Sequence, residues 1–214
     1  MARASRKVDM RKGEAILKAA TALFLKVGYE KTSMDAIALK AGVTKQTVYS
    51  HYHSKDQLFT RMIGDLCTRH VHAEPAAADE KKPFEEQLYA IGMGLLTLIT
   101  SPEGMAMTRL VVAEAARYPK IARLYYENGT LRIMQLLADF LDGQMARGRI
   151  TISDTESAAS YFFAMLKGQY FLRMTLRVPP IPSQKEREAH VRETVRVFLH
   201  LYTGPKPLHT KSKL

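Results

Sequence analysis

The chain of 214 residues contains a single cysteine, Cys67, and no tryptophan. One thiol excludes an internal disulfide framework and suits a reducing compartment. Long apolar runs are also missing. The most apolar stretch, Leu88 to Thr100, is shorter than the ~20 residues a helix needs to cross a bilayer. Met1 to Lys7 carry charge with no apolar segment behind it, so the start does not read as a secretion signal. A cytoplasmic protein without a membrane partner is expected. Catalytic signatures are scarce too. There is no Gly-x-Gly-x-x-Gly, no phosphate-binding glycine loop ending in Gly-Lys, no Gly-x-Ser-x-Gly and no His-Glu-x-x-His. Nothing here calls for an enzyme, a cofactor or a metal.

Acidic charge is the remaining shortage, with 32 Lys and Arg against 21 Asp and Glu, a formal net of +11. Residues 1–60 hold 11 basic against five acidic side chains, while the remaining 154 hold 21 against 16. The excess is densest at the N-terminus, as attraction to a phosphate backbone requires. Basic surfaces also suit RNA and membranes, so charge alone does not choose. Hydrophobic residues make up 46%, which is enough for a real core in one large domain, or in a small one plus a larger.

The stretch Thr32 to Leu58 organises the rest. Ser33 is a hydroxyl N-cap, and Met34, Ile37, Ala38 and Ala41 fall at helical spacing on one face. Gly42 can adopt the positive φ of a tight helix-to-helix turn, and Val43 fills the corner. Thr44 caps a second helix whose inward residues are Val48 and Tyr52. This spacing predicts a helix-turn-helix whose second helix enters the major groove of DNA. At ~100° per residue, Gln46 and Ser50 lie opposite Val48, with Thr47 and Tyr49 on its flanks. This outward set forms hydrogen bonds and holds no carboxylate. Gln46 can bond bidentately to adenine, and the Thr47 methyl can touch thymine. Lys45 can reach guanine or phosphate, and Tyr49 and His51 suit phosphate oxygens. Ser54 to Gln57 has capping-box spacing, so free amides and Lys55 are further phosphate candidates. Thr32, Ser33 and Thr44 complete the candidate DNA face.

Thr32-Ser33-Met34 with Ile37-Ala38, then Ala41 to Tyr52, then Ser54-Lys55-Asp56-Gln57-Leu58 resembles the TetR/AcrR family of bacterial regulators. Ile16 to Tyr29 joins the match. Tyr52 stands where Phe is usual and Asp56 where Glu is usual. The resemblance implies that the helix after Ser54 connects a DNA reader to a ligand domain and transmits the signal. It also implies that the N-terminal end of the first helix often touches the operator backbone.

The residues outside this stretch read as further helices. Residues 1–10 are either an arm reaching DNA or a frayed start. The first helix is expected from about Lys12 to Val27, with Ile16, Ala20, Leu23, Phe24 and Val27 inward and Gly28 as its stop. The helix after Ser54 carries Leu58, Phe59, Met62, Ile63 and Leu66. Near its end Cys67 and His70 share a face, but His72 does not and no fourth ligand is obvious, so a solvated end is preferred to a metal site. Glu74 to Pro83 has the composition of a linker. Pro83 then opens a helix carrying Leu88, Ile91, Leu95 and Ile99, and Ser101-Pro102 starts the next. Ile121 to Asn128 reads as a short helix ended by Gly129. Arg109 and Glu114 lie about 140° apart on one helix, so salt bridges to neighbouring helices are expected rather than a shared site. Arg109 to Pro119 with Tyr125 to Gly129 resembles the AefR-like type of TetR-family C-terminal domain.

Leu131 to Met145 reads as a helix closed by Gly148. Ser153 to Glu156 is a capping box opening a helix from Ser157 to about Leu176 that is apolar almost all round, and Ser183 to Glu186 caps a last helix. Met93, Met105, Met134 and Met165 with Tyr89, Tyr125 and Phe140 can line an adaptable pocket or simply form core. The helix after Glu156 has more apolar surface than one protomer needs. The resemblance makes the last two helices a dimer interface, with Tyr161, Phe162, Met165, Val195, Phe198, Leu199 and Tyr202 as candidates.

The expected fold is all-α, with about nine to ten helices. A three-helix DNA-binding domain spans 1–55, a connecting helix and linker 56–82, a ligand-binding and dimerisation domain 83–203, and a disordered tail 204–214. The expected function is a homodimeric regulator, a repressor released from a palindromic operator in double-stranded DNA by a small hydrophobic effector. The alternative is an architectural DNA-binding protein without a ligand.

Overall fold

A computed structural model describes residues 2–71 and 82–203. Among these, ten α-helices and one π-helical stretch account for the regular structure. They are α1 (Ala2–Val27), α2 (Met34–Ala41), α3 (Lys45–His51), α4 (Lys55–His70), α5 (Phe84–Thr100), α6 (Pro102–Glu114), α7 (Pro119–Tyr125), the π-helical Tyr126–Leu131, α8 (Arg132–Ala146), α9 (Thr155–Thr175) and α10 (Gln184–Thr203). No described helix is long and apolar enough to cross a membrane. The expected linker, apart from its last residues, and the expected tail lie outside the described residues, as does His72.

The fold is helical throughout, as read from the sequence. The chain forms two compact units, one of residues 1–70 with 100–133 and the other of 71–99 with 134–214. The first unit therefore recruits α6 and α7, which lie far from the N-terminus in sequence. The reason is a shared core: Ile16, Phe24, Ile37, Val48, Leu58, Phe59 and Ile63 form one cluster with Met107, Val111 and Ile121. Phe24, Tyr29 and Phe59 interlock there, with ring centroids 5.1–5.6 Å apart, a geometry that adds to plain area burial.

Local signals account for most helix ends. Ser33 Oγ accepts the N–H of Ala36 at 3.1 Å, and Thr44 Oγ1 that of Thr47 at 3.2 Å. Gly42 is left-handed (φ 67, ψ 34) and its N–H closes the end of α2. Ser101 caps α6 through the N–H of Gly104 at 2.9 Å, ahead of Pro102 in the first turn. Ser183 and Glu186 exchange reciprocal bonds at the start of α10, the expected capping box.

Three boundaries differ from the sequence reading. The first helix begins at Ala2, not near Lys12, because residues 2–12 contain neither glycine nor proline to interrupt it. Gly129 does not end a helix. It is buried inside the π-helical stretch, where a Cβ would stand 3.2 Å from Ile63 Cγ2, so the glycine permits a close approach to α4 and the chain runs on into α8. The cap of α9 is Asp154 rather than Ser153, accepting the N–H of Ser157 at 3.0 Å.

In the second unit, α5 packs closely on α9 and α10. A Cβ on Gly92 would meet Val191 Cγ1 at 2.8 Å and Phe162 Cζ at 3.4 Å. Phe162 and Phe198 meet edge-on at 5.1 Å. Gln144 donates to Gln87 at 3.2 Å and accepts from Arg149 at 3.1 Å, so two buried amides are satisfied. Helix α9 is not continuous: Gly168 has φ 41 and ψ −145. Only glycine tolerates that conformation readily, and His190 of α10 bonds the Leu166 carbonyl beside the break at 3.0 Å.

Candidate nucleic-acid interface

Helix α3 has a single fully buried side chain, Val48. It locks α3 onto the common core and thereby fixes which residues face out. Gln46, Tyr49 and Ser50 are exposed and Thr47 is half-buried, as the helical spacing predicted. The Ser50 hydroxyl donates to the Thr47 carbonyl at 2.9 Å, and the Thr44 and Thr47 hydroxyls pair at 2.8 Å. Lys45 Nζ lies 2.8 Å from Asp35 of α2, and that carboxylate raises the lysine pKa by hydrogen bond and charge. Both partners are exposed, so the pair is weak and the ammonium can exchange Asp35 for phosphate.

Three other candidates are engaged in holding the domain together. Thr32 is 2% exposed, and its hydroxyl donates to the Gly28 carbonyl at 2.7 Å, so it finishes the turn after α1. His51 stands three residues after Val48 and shares its inner face. Its ring faces Gly13 of α1, and its Nε2 lies 3.1 Å from Asp9. Lys55 donates to the Glu30 carbonyl at 3.2 Å, and its Nζ sits 4.4 Å above the Tyr29 ring. All three thus make contacts within the domain as well as being candidates for DNA. Ser33 remains exposed but serves as a cap.

A polar cluster that the sequence reading missed joins the reader helices to α6 and α7. The Tyr29 hydroxyl donates to Asp56 at the start of α4, and Lys120 at the start of α7 pairs with the same carboxylate. Burial pushes the Asp56 carboxyl up, but the bonds from Lys120 and Tyr29 and the charges of Lys120 and Lys55 outweigh it and hold the group below its ordinary range. Burial first, then the bond to Asp56, raises the Tyr29 hydroxyl well above its usual pKa. Glu114, expected in a salt bridge, instead accepts the Tyr29 backbone N–H at 3.3 Å. Tyr29 and Asp56 both lie in the motif, but no local spacing signals that Lys120 reaches them.

The seven pocket candidates divide between the units. Met105 and Tyr125 belong to the first, and Tyr89, Met93, Met134, Phe140 and Met165 to the second. Met105 and Phe140 are buried. The Tyr125 hydroxyl pairs with Thr108 at 3.0 Å, and Phe140 packs on Phe84. Tyr89 lines a half-open cleft of about 320 Å³ with Pro83, Glu85, Glu86, Arg192 and Val195. The other six pocket candidates are not among the residues lining this cleft.

The interface candidates also split. Phe162, Val195 and Phe198 lie in the protomer's own core, because they fill the seam between α9 and α10 and cannot meet a partner. Tyr161 is 59% exposed, and Met165, Leu199 and Tyr202 are half-buried. Leu172 and Leu201 are further exposed apolar side chains on the same two helices.

The fold and the outward face of α3 define a helix-turn-helix DNA-binding protein of the bacterial regulator kind. Residues 16–62 match the model of bacterial regulatory proteins of the tetR family, and residues 86–204 match the AefR-like transcriptional repressor C-terminal domain. The chain belongs to the TetR family, with an AefR-like C-terminal domain. It is 31% identical to a TetR-family transcriptional regulator from Mesorhizobium loti MAFF303099 of solved structure, with 91% of this chain and 98% of that one covered at a TM-score of 0.75. Against the flavonoid-responsive regulator FrrA the values are 30%, 90%, 97% and 0.70. Among curated relatives, the regulator YhgD of Bacillus subtilis is 34% identical over 35% of this chain, which spans only 39% of that relative's length. The repressor BepR of Brucella suis is 26% identical over 72% of this chain and 77% of its own.

Proposed function

We propose that the protein is a cytoplasmic homodimeric repressor that binds a palindromic operator and leaves it when a small apolar effector binds. The observation that carries this reading is the exposed face of α3, where Gln46, Thr47, Tyr49 and Ser50 offer hydrogen bonds and no carboxylate. Lys45 beside them adds a releasable positive charge. Two such helices related by a two-fold axis would read successive major grooves. Tyr161, Leu172 and Leu201 give α9 and α10 an apolar surface suited to a second copy. BepR is named a repressor and FrrA flavonoid-responsive, which supports repression and response to a small molecule. Release requires the effector to prefer the state that does not fit DNA.

The test is selection from a random duplex DNA library with purified protein, read by sequencing. A palindromic consensus with half-sites about one helical turn apart is expected. No enrichment, or enrichment of a feature without two-fold symmetry, would overturn the reading in favour of architectural binding.

A further inference from the structure

Lys167 of α9 is a half-buried cation. Its Nζ lies 4.6 Å from the ring centroid of Phe163, one turn before it, and 5.2 Å from that of Phe171, beyond the break at Gly168. Phe163 is itself buried and Phe171 half-buried. Among the described residues no carboxylate pairs with this ammonium. Burial lowers its pKa. A lysine that merely rests its methylenes on apolar surface keeps its head in water. Here the head lies over two ring faces instead, which compensate a cation's lost hydration only in part. An anion arriving at this point would gain a charge-assisted bond, and the half-buried Phe171 ring would offer apolar contact to the body behind it. The adjacent residue is Gly168, where α9 breaks, so an occupant here would bear directly on the helix proposed to form the dimer.

We propose that Lys167, between Phe163 and Phe171, is the anion-binding residue of the effector site, and that the effector is an organic acid with one carboxylate on an apolar body. This rests on the effector reading above.

Calorimetric titration of the full-length protein, without DNA, tests it with two probe pairs: octanoate against 1-octanol, and 1-naphthoate against 1-naphthalenemethanol. In at least one pair the acid should bind about tenfold or more tighter than the alcohol. Lys167→Met should abolish that preference while leaving alcohol binding unchanged, and Lys167→Arg should keep most of it. No preference in either pair, or a preference that survives Lys167→Met, overturns the proposal. So does a Lys167→Met variant whose only change is a shifted monomer–dimer equilibrium, since the lysine would then pair with a second copy. An acid that binds through Lys167 yet leaves the selected operator occupied upholds the site and sinks only the effector reading. An operator found without any acid preference does the reverse.

Discussion

Replacing Gly28 with alanine tests how the reader helices are fastened to α6. Gly28 has φ +93, and a Cβ there would collide with Glu114 Oε1. The left-handed backbone should cost alanine about 1–2 kcal/mol. Displacing the Glu114 carboxylate strands the Tyr29 N–H it accepts at 3.3 Å, a loss of about 1–3 kcal/mol. Gly28→Ala should therefore destabilise the protein by about 2–5 kcal/mol. In a Glu114→Ala background the collision and the hydrogen bond are both gone, and the same change should cost only the backbone penalty, about 1–2 kcal/mol. Urea unfolding of the four proteins, followed by far-UV circular dichroism at one protein concentration, gives the cycle. Costs that add within about 0.3–0.5 kcal/mol would refute the argument that Gly28 is small to admit Glu114.

Other consequences follow from the same geometry. Gln46→Ala should relax sequence preference at one base pair by about 1–3 kcal/mol, whereas Lys45→Ala should weaken all sequences alike and reduce the salt slope by about one. Equal losses on operator and random DNA for Gln46→Ala would remove its assigned role. Tyr161→Glu should move the protein towards monomer in sedimentation, while Phe162→Ala should cost about 3–5 kcal/mol of stability, since its ring is fully buried within the protomer. The raised Tyr29 pKa stabilises the neutral hydroxyl of the folded state. Its contribution is complete below the unfolded value of about 10 and is lost as pH rises towards the folded one. Between those two values, Tyr29→Phe should lose stability less steeply than the parent, by up to about 1.4 kcal/mol per pH unit. Parallel slopes would contradict the burial of the Tyr29 hydroxyl and, with it, the Asp56 contact.

Where the sequence was legible, the determinant was local. Ser33, Gly42, Thr44 and Val48 act within one turn of their own positions, and each stands where its spacing placed it. The same logic did not foresee the intramolecular contacts of Thr32, His51 and Lys55. Their exposure depends on Gly28, Asp9 and Glu30, which lie on α1 or just after it. Phe162, Val195 and Phe198 show the complementary failure. Periodicity reports that a face is apolar, but not whether the protomer or a second copy covers it. The pocket candidates were chosen by side-chain type, which carries no information about which of two units a helix joins. Assigning α6 and α7 required knowing that Val111 and Ile121 complete the core around Phe24 and Phe59.

That recruitment bears on how an effector can act at all. Two-site coupling free energies are typically about 1–3 kcal/mol. Asp56 accepts bonds from Lys120 of α7 and from Tyr29 just after α1; the Lys120 side chain is 67% exposed, so its share is that of a solvent-screened pair, about 0.2–1 kcal/mol. An effector of the kind proposed above that drew Lys120 away would therefore change the anchoring of α4 by an amount near the lower end of that coupling. Lys120→Met should then shift operator affinity even though residue 120 lies outside the helix-turn-helix. An unchanged operator affinity, with stability lowered all the same, would confine the cluster to a structural role.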